Sequence, residues 1–180
     1  MIFYHYTSEG HVESILESGY LKLCESNALP DSRLSGLNVY SQEPLDLIKS
    51  GINKFDIEDT NALKSPKVVW LFKKQLVGTA PVMLTSKGSV KLFGVGQPLP
   101  VVFDKSKIEF TVDIPIEDVQ RSDKFFRQFN TPEWWIKGLE QFGGKTGVKD
   151  WYVCRREILE SEWVEIKDRY NPKNSIKRKK

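Results

Sequence analysis

Cysteine and histidine are scarce in this chain, with two of each among 180 residues. Two cysteines, Cys24 and Cys154, do not make a disulfide framework, and with two histidines they do not make a metal-ligand motif. Both are expected to be buried thiols in a reducing cytoplasm, and no metal cofactor is expected. No apolar run nears the ~20 residues that a membrane-spanning helix needs. No basic start or cleavage site precedes the first strand, so no signal peptide is expected. Internal repeats are lacking too. A large excess of charge is missing as well: the net is +3. Five positive charges sit in the last ten residues (Lys173, Lys177, Arg178, Lys179 and Lys180), with no acid among them. Without them the remaining chain carries a net −2, which argues against a basic nucleic-acid platform or an RNA-directed phosphotransferase. The tail is expected to be mobile, either a solubilising end or a contact for nucleic acid.

What is present is enough to fold. At 39% hydrophobic and 12% aromatic, 180 residues make one domain with a real core. The expected limits are 1–168 for the domain and 169–180 for the basic tail. The first 24 residues are the most informative. A strand ends in His5-Tyr6-Thr7, and a helix follows at once with Ser8 as its expected cap. Val12, Ile15 and Leu16 share one helix face. Gly19 suits the left-handed residue that closes a helix. A second strand is expected from Tyr20 to Cys24. One imidazole and several hydroxyls thus meet where a strand ends beside a helix start, a common place for ligands in such folds.

Farther on, Glu25 to Tyr40 reads as a long polar loop, and Ser41 to Ser50 as a short helix. Lys67 to Lys73 is the clearest buried strand, a β-branched and aromatic run between charges. Val82 to Leu84, Ser89 to Phe93, Val101 to Phe103 and Lys107 to Val112 are further strands. In the last of these Ile108, Phe110 and Val112 share a face. Pro115 to Asp123 reads as a turn or a short helical piece, and Asp123 to Gln128 as a helical turn. Thr131-Pro132-Glu133 is a strong helix start, with Gly143-Gly144 as its stop. Asp150 to Arg155 and Trp163 to Ile166 are the closing strands. The sum is an α+β fold: a single domain of short strands in a mixed or antiparallel split sheet, with few helices.

His5-Tyr6-Thr7, followed by a helix ending Ile-Leu-Glu-Ser-Gly, resembles the opening of ADP-ribosyltransferase-fold proteins. Val68-Val-Trp-Leu71, Gly78-Thr-Ala80, Trp134-Trp135, Asp150-Trp-Tyr-Val153 and Trp163-Val-Glu165 extend the resemblance to small bacterial and phage proteins. The pieces span most of residues 3 to 166. The resemblance implies an ADP-ribosyltransferase-like split sheet and NAD as substrate. It implies that His5 orients the ribose beside nicotinamide, with Tyr6 and Thr7 next to it. Tyr20 or Tyr40 would stack on nicotinamide, and Trp70 lies in a matching strand. The catalytic acid falls on Asp150, where the family's usual residue is glutamate, one methylene longer. Glu162, in Glu160-Ser161-Glu162, is the second candidate acid. Arg127 is a candidate phosphate contact, with a surface ion pair as the alternative. The implied function is ADP-ribosyl transfer to a host protein or nucleic acid by a cytoplasmic phage or bacterial effector. The alternative is an inactive module of the same fold that binds a nucleotide or a protein, such as a phage inhibitor of host defence.

Each residue also has a plain structural use. His5 can be a hydrogen-bonded core histidine, His11 a solvated one and Asp150 a turn cap. Gly94-Val-Gly96 lacks the strand and helix that a dinucleotide loop needs. No serine has histidine and acid partners at a recognisable spacing.

Overall fold

The computed structural model describes residues 1–26, 28, 65–77, 81–84, 101–142 and 147–171. The expected loop from Glu25 to Tyr40 falls mostly outside them. So do the helix from Ser41 to Ser50, the strand from Ser89 to Phe93, the Gly143-Gly144 stop and the tail from 172 onward.

The chain opens with β1 (Ile2–Thr7), a 3-10 turn (Glu9–His11) and α1 (Val12–Ser18). Gly19 closes α1 at φ 74°, and its N–H bonds the Ile15 carbonyl at 3.0 Å. That conformation is costly for any residue with a Cβ. The expected strand from Tyr20 to Cys24 is two strands, β2 (Tyr20–Leu21) and β3 (Cys24–Glu25). They have different partners, β2 pairing with the late strand at Ile158–Leu159 and β3 with the strand at Lys67–Phe72, so Lys22 and Leu23 separate two ladders. Then come β4 (Lys67–Phe72), β5 (Pro81–Leu84), β6 (Val101–Asp104) and β7 (Ile108–Asp113). The stretch from Pro115 to Asp123, read as a turn or a short helical piece, holds a 3-10 turn (Ile116–Asp118) and then β8 (Val119–Arg121). Helices α2 (Ser122–Gln128) and α3 (Glu133–Phe142) precede β9 (Trp151–Cys154), β10 (Ile158–Leu159) and β11 (Trp163–Asp168).

The main sheet runs β11–β7–β1–β4–β9–β8, with β3 also paired to β4. Every pairing is antiparallel. Two smaller ladders join β2 to β10 and β5 to β6. The result is an α+β domain with a mostly antiparallel sheet and few helices.

Period-two alternation gives the sheet two faces. One face carries Phe3, Leu71, Phe110, Val112 and Ile166, all 2% exposed or less, and packs on Val12, Ile15 and Leu16 of α1. The other face, over β4 and β9, carries Val68 and Val153 against Phe125 and Phe126 of α2. Burying such a side chain contributes about 1.5–3 kcal/mol, so these two layers are what hold the sheet's shape.

Two expected caps are used differently. The Ser8 hydroxyl lies 3.4 Å from His11 Nδ1 and caps no backbone N–H. The Thr131 hydroxyl donates to the Ala28 carbonyl at 2.6 Å, tying α3's entry to the segment after β3. Of the two cysteines, Cys154 is buried but Cys24 is exposed. Its strand lies on β4 with its thiol 3.4 Å from the Val68 carbonyl. No helix of the described residues is long and apolar enough to cross a membrane.

Candidate functional site

β1 and β4 meet at one register pair, Tyr4 with Phe72, while β1 runs along β7 for six pairs. Past Tyr4 the two strands part. Farther down β4, β3 takes the place of β1, pairing Cys24 with Val68. The sheet is therefore split near its middle.

A split strands main-chain groups that a ladder would pair, and buried ones need a partner. His5 supplies one. Its Nδ1 lies 2.9 Å from the Trp70 carbonyl. A carbonyl only accepts, so Nδ1 carries the proton and Nε2 keeps its lone pair. The ring stands edge-on to Phe110 at 6.3 Å. Burial holds its pKa below the ordinary 6.5, against the raising effect of the Trp70 bond. The imidazole is thus a neutral ring with one fixed nitrogen and one acceptor nitrogen.

Thr7 and Ser8 are buried, and both hydroxyls reach His11 Nδ1, at 3.3 and 3.4 Å. Trp70 lies on the opposite face from His5, against Phe126 at 5.8 Å, Trp151 at 6.1 Å and Phe125 at 6.2 Å. Asp150 ends a 3-10 turn at the head of β9, one strand beyond β4. Its carbonyl accepts the Lys73 N–H at 2.7 Å, continuing the β4–β9 ladder. Its carboxylate pairs with Lys74 at 3.0 Å. With β4 between them, β1 and β9 are about 10 Å apart.

The other candidates lie elsewhere. Tyr20 sits in the β2–β10 ladder with the Lys22 ammonium 5.8 Å above its ring. Tyr40 is outside the described residues. Arg127 is exposed on α2. Glu162 grips Arg156 through two bonds of 2.6 and 2.9 Å and accepts the Leu159 N–H at 2.9 Å. Arg156, shared with Asp118, pulls the Glu162 carboxyl below its ordinary value. That cluster staples the turn before β11 to the turn before β8. His5 and Thr7 therefore share one face at the split and Tyr6 and Trp70 lie on the other, with Asp150 two strands away, whereas Tyr20, Arg127 and Glu162 lie elsewhere.

A second polar group lies behind the split, on the face opposite His5. Register places Tyr6, Glu109 and Lys167 in one row across β1, β7 and β11. The Tyr6 hydroxyl donates to Glu109 at 2.8 Å and accepts the Leu76 N–H at 2.9 Å. Glu109 also accepts from Gln75 at 3.0 Å and Lys167 at 2.6 Å, and is 1% exposed. Burial pushes the Tyr6 phenol far above its ordinary range, so it stays a donor. Arg169 lies 5.3 Å over the Tyr6 ring and donates to the Ser106 and Leu76 carbonyls at 2.8 and 2.7 Å. A cavity of about 310 Å³ opens here, lined by Gln75, Leu76, Glu109, Lys167, Asp168 and Arg169. Only Tyr6 of this group stands out in the sequence. The available signal was Glu109 itself, an acid alternating with Ile108 and Phe110 in a buried strand.

Among the described residues no group of three or more histidine, cysteine or acidic side chains could hold a metal ion. No family model matches the chain, and neither a curated protein nor a solved structure matches it.

Proposed function

We propose that the protein binds NAD at the parting of β1 and β4 and acts as an ADP-ribosyltransferase-like enzyme. One observation carries the reading: the His5 imidazole stands at the split, its Nδ1 fixed by Trp70 and its Nε2 able to accept a hydroxyl. That is the hydrogen-bonding state a ribose-orienting histidine needs. Breaking the bond between nicotinamide and ribose builds positive charge on the sugar. A carboxylate near that carbon stabilises the charge, and Asp150 is the acid on the neighbouring strand pair. His5 holds the ribose in place, which supplies rate through orientation. The acceptor in this reading is a host protein or nucleic acid.

A second reading is favoured by one contact. The Asp150 carboxylate is already paired with Lys74 and stands where the resembled family carries the longer glutamate. A module that binds NAD or a related nucleotide without cleaving it would tolerate both features.

Incubation with NAD separates the two. The enzyme releases nicotinamide, loses that activity in His5→Ala and Asp150→Ala, and keeps or gains it in Asp150→Glu. The binding module gives a rise in melting temperature with NAD and no nicotinamide. Absence of both effects in the wild-type protein overturns the proposal.

A further inference from the structure

Across the parting, two side chains do what the missing ladder would do. On one face His5 reaches the Trp70 carbonyl. On the other, the Tyr6 hydroxyl takes the N–H of Leu76, in the segment that leaves β4 and folds back over β1. Adjacent strand residues point to opposite faces, so β1 is braced to the β4 segment from both sides by consecutive residues. β7 fixes the other edge of β1 through six pairs. The roll of β1 about that edge is what the two braces set.

The Tyr6 brace is anchored from below. Glu109 accepts the hydrogen bond of the Tyr6 hydroxyl, and Glu109 itself is held by Gln75 and Lys167. Gln75 belongs to the same returning segment as Leu76, whose carbonyl is clamped by Arg169. One buried carboxylate thus joins β1, β7, β11 and the exit of β4. These polar groups already have partners among themselves, so the cluster is built to hold rather than to receive a ligand.

We infer that Glu109 is a positioning residue: through Tyr6 it sets the parting between β1 and β4 at the width that lets His5 Nδ1 bond the Trp70 carbonyl. This rests on the NAD reading above only for its effect on turnover; its effect on the ring does not.

The test is the ring itself. Histidine side-chain nitrogen NMR on the wild-type protein, with His11→Gln to assign the two rings, should show His5 as a neutral ring protonated at Nδ1. Glu109→Gln and Tyr6→Phe keep shape but break the brace. In both, the His5 nitrogens should shift toward the averaged pattern of exchanging tautomers. Arg156→Gln is the control: it breaks an ion-pair cluster on another element and should leave the His5 pattern unchanged. If the protein releases nicotinamide, the two brace variants should lose about tenfold or more of kcat, because small misplacements of a positioned group are costly, whereas Arg156→Gln should not. A wild-type ring without the Nδ1 proton overturns the inference. So does an unchanged His5 pattern in folded Glu109→Gln and Tyr6→Phe, or the same change in Arg156→Gln. A wild-type protein without turnover ends the transferase reading alone, and the ring measurement still decides this one.

Discussion

Over β4 and β9, one face of the sheet is covered by Trp70, Phe125, Phe126 and Trp151, whose rings meet at tilted and edge-on angles. Over β1, β7 and β11, the same face carries Tyr6, Glu109 and Lys167 in one hydrogen-bonded row. The aromatic half is held by area, which is non-directional and forgives small changes of shape. The polar half is held by geometry, and each member lost leaves a buried partner unpaired. The two halves should therefore respond differently to substitution, although both are buried.

The largest effect should come from emptying the aromatic half. Phe125 is fully buried against Trp70, Phe126 and Phe129. Phe125→Ala should cost about 4 kcal/mol in urea unfolding, as aromatic truncations in cores do. A conservative Phe125→Leu should recover much of that loss. A cost below about 1 kcal/mol for the alanine variant would show that this half does not depend on packing.

The polar half should fail by a different route. Lys167→Met keeps the chain length but leaves Glu109 buried without its cation. The expected cost is about 3 kcal/mol, typical of breaking a buried pair by removing one partner. Adding Glu109→Gln to Lys167→Met should restore stability relative to the single variant, because the charge left behind is what costs. Simple addition of the two losses would argue against coupling.

The smallest effect is a pH dependence, and it sharpens the comparison because it touches only β1 and the 3-10 turn that follows it. Burial lowers the pKa of His5, and burial together with Lys105 lowers that of His11, below the ordinary 6.5. The folded chain keeps both rings neutral while the unfolded chain takes up protons below about 6.5. The unfolded state then binds more protons, so stability falls as pH drops from 6.5 toward the folded pKa values. The unfolding midpoint should be lower at about pH 5.5 than at about pH 7.5. In His5→Gln that difference should shrink. An undiminished difference would place the titration elsewhere.

The opening unit was the most legible part of the chain. The β-branched and aromatic run of β4, the alternation of β7 and the left-handed Gly19 follow from local rules, and the structure carries them at Lys67–Phe72, Ile108–Asp113 and φ 74°. What local pattern does not encode is pairing. Tyr20 and Cys24 look like one strand until their partners are known, Leu159 for one and Val68 for the other. Val119–Arg121 falls in a stretch that reads as a turn or a short helical piece because three residues are too few for a period, and only β9 beside it makes it a strand. The same limit hid the polar row. Tyr6, Glu109 and Lys167 are each ordinary alone and become a group only through a register spanning 161 positions of chain. His5 was legible as a candidate because histidine is rare here and stands near a strand end. Its bond to Trp70 was not, because it depends on where two strands separate.

The separation of β1 from β4 also makes an inner border within the sheet. Beyond the Tyr4–Phe72 pair, Tyr6 and Trp70 have no ladder partner across it. Peptide groups along such a border present the same donor and acceptor whichever side chain the position bears. Alanine scanning is blind to them, and only proline, which deletes the amide hydrogen, would reveal what they contribute.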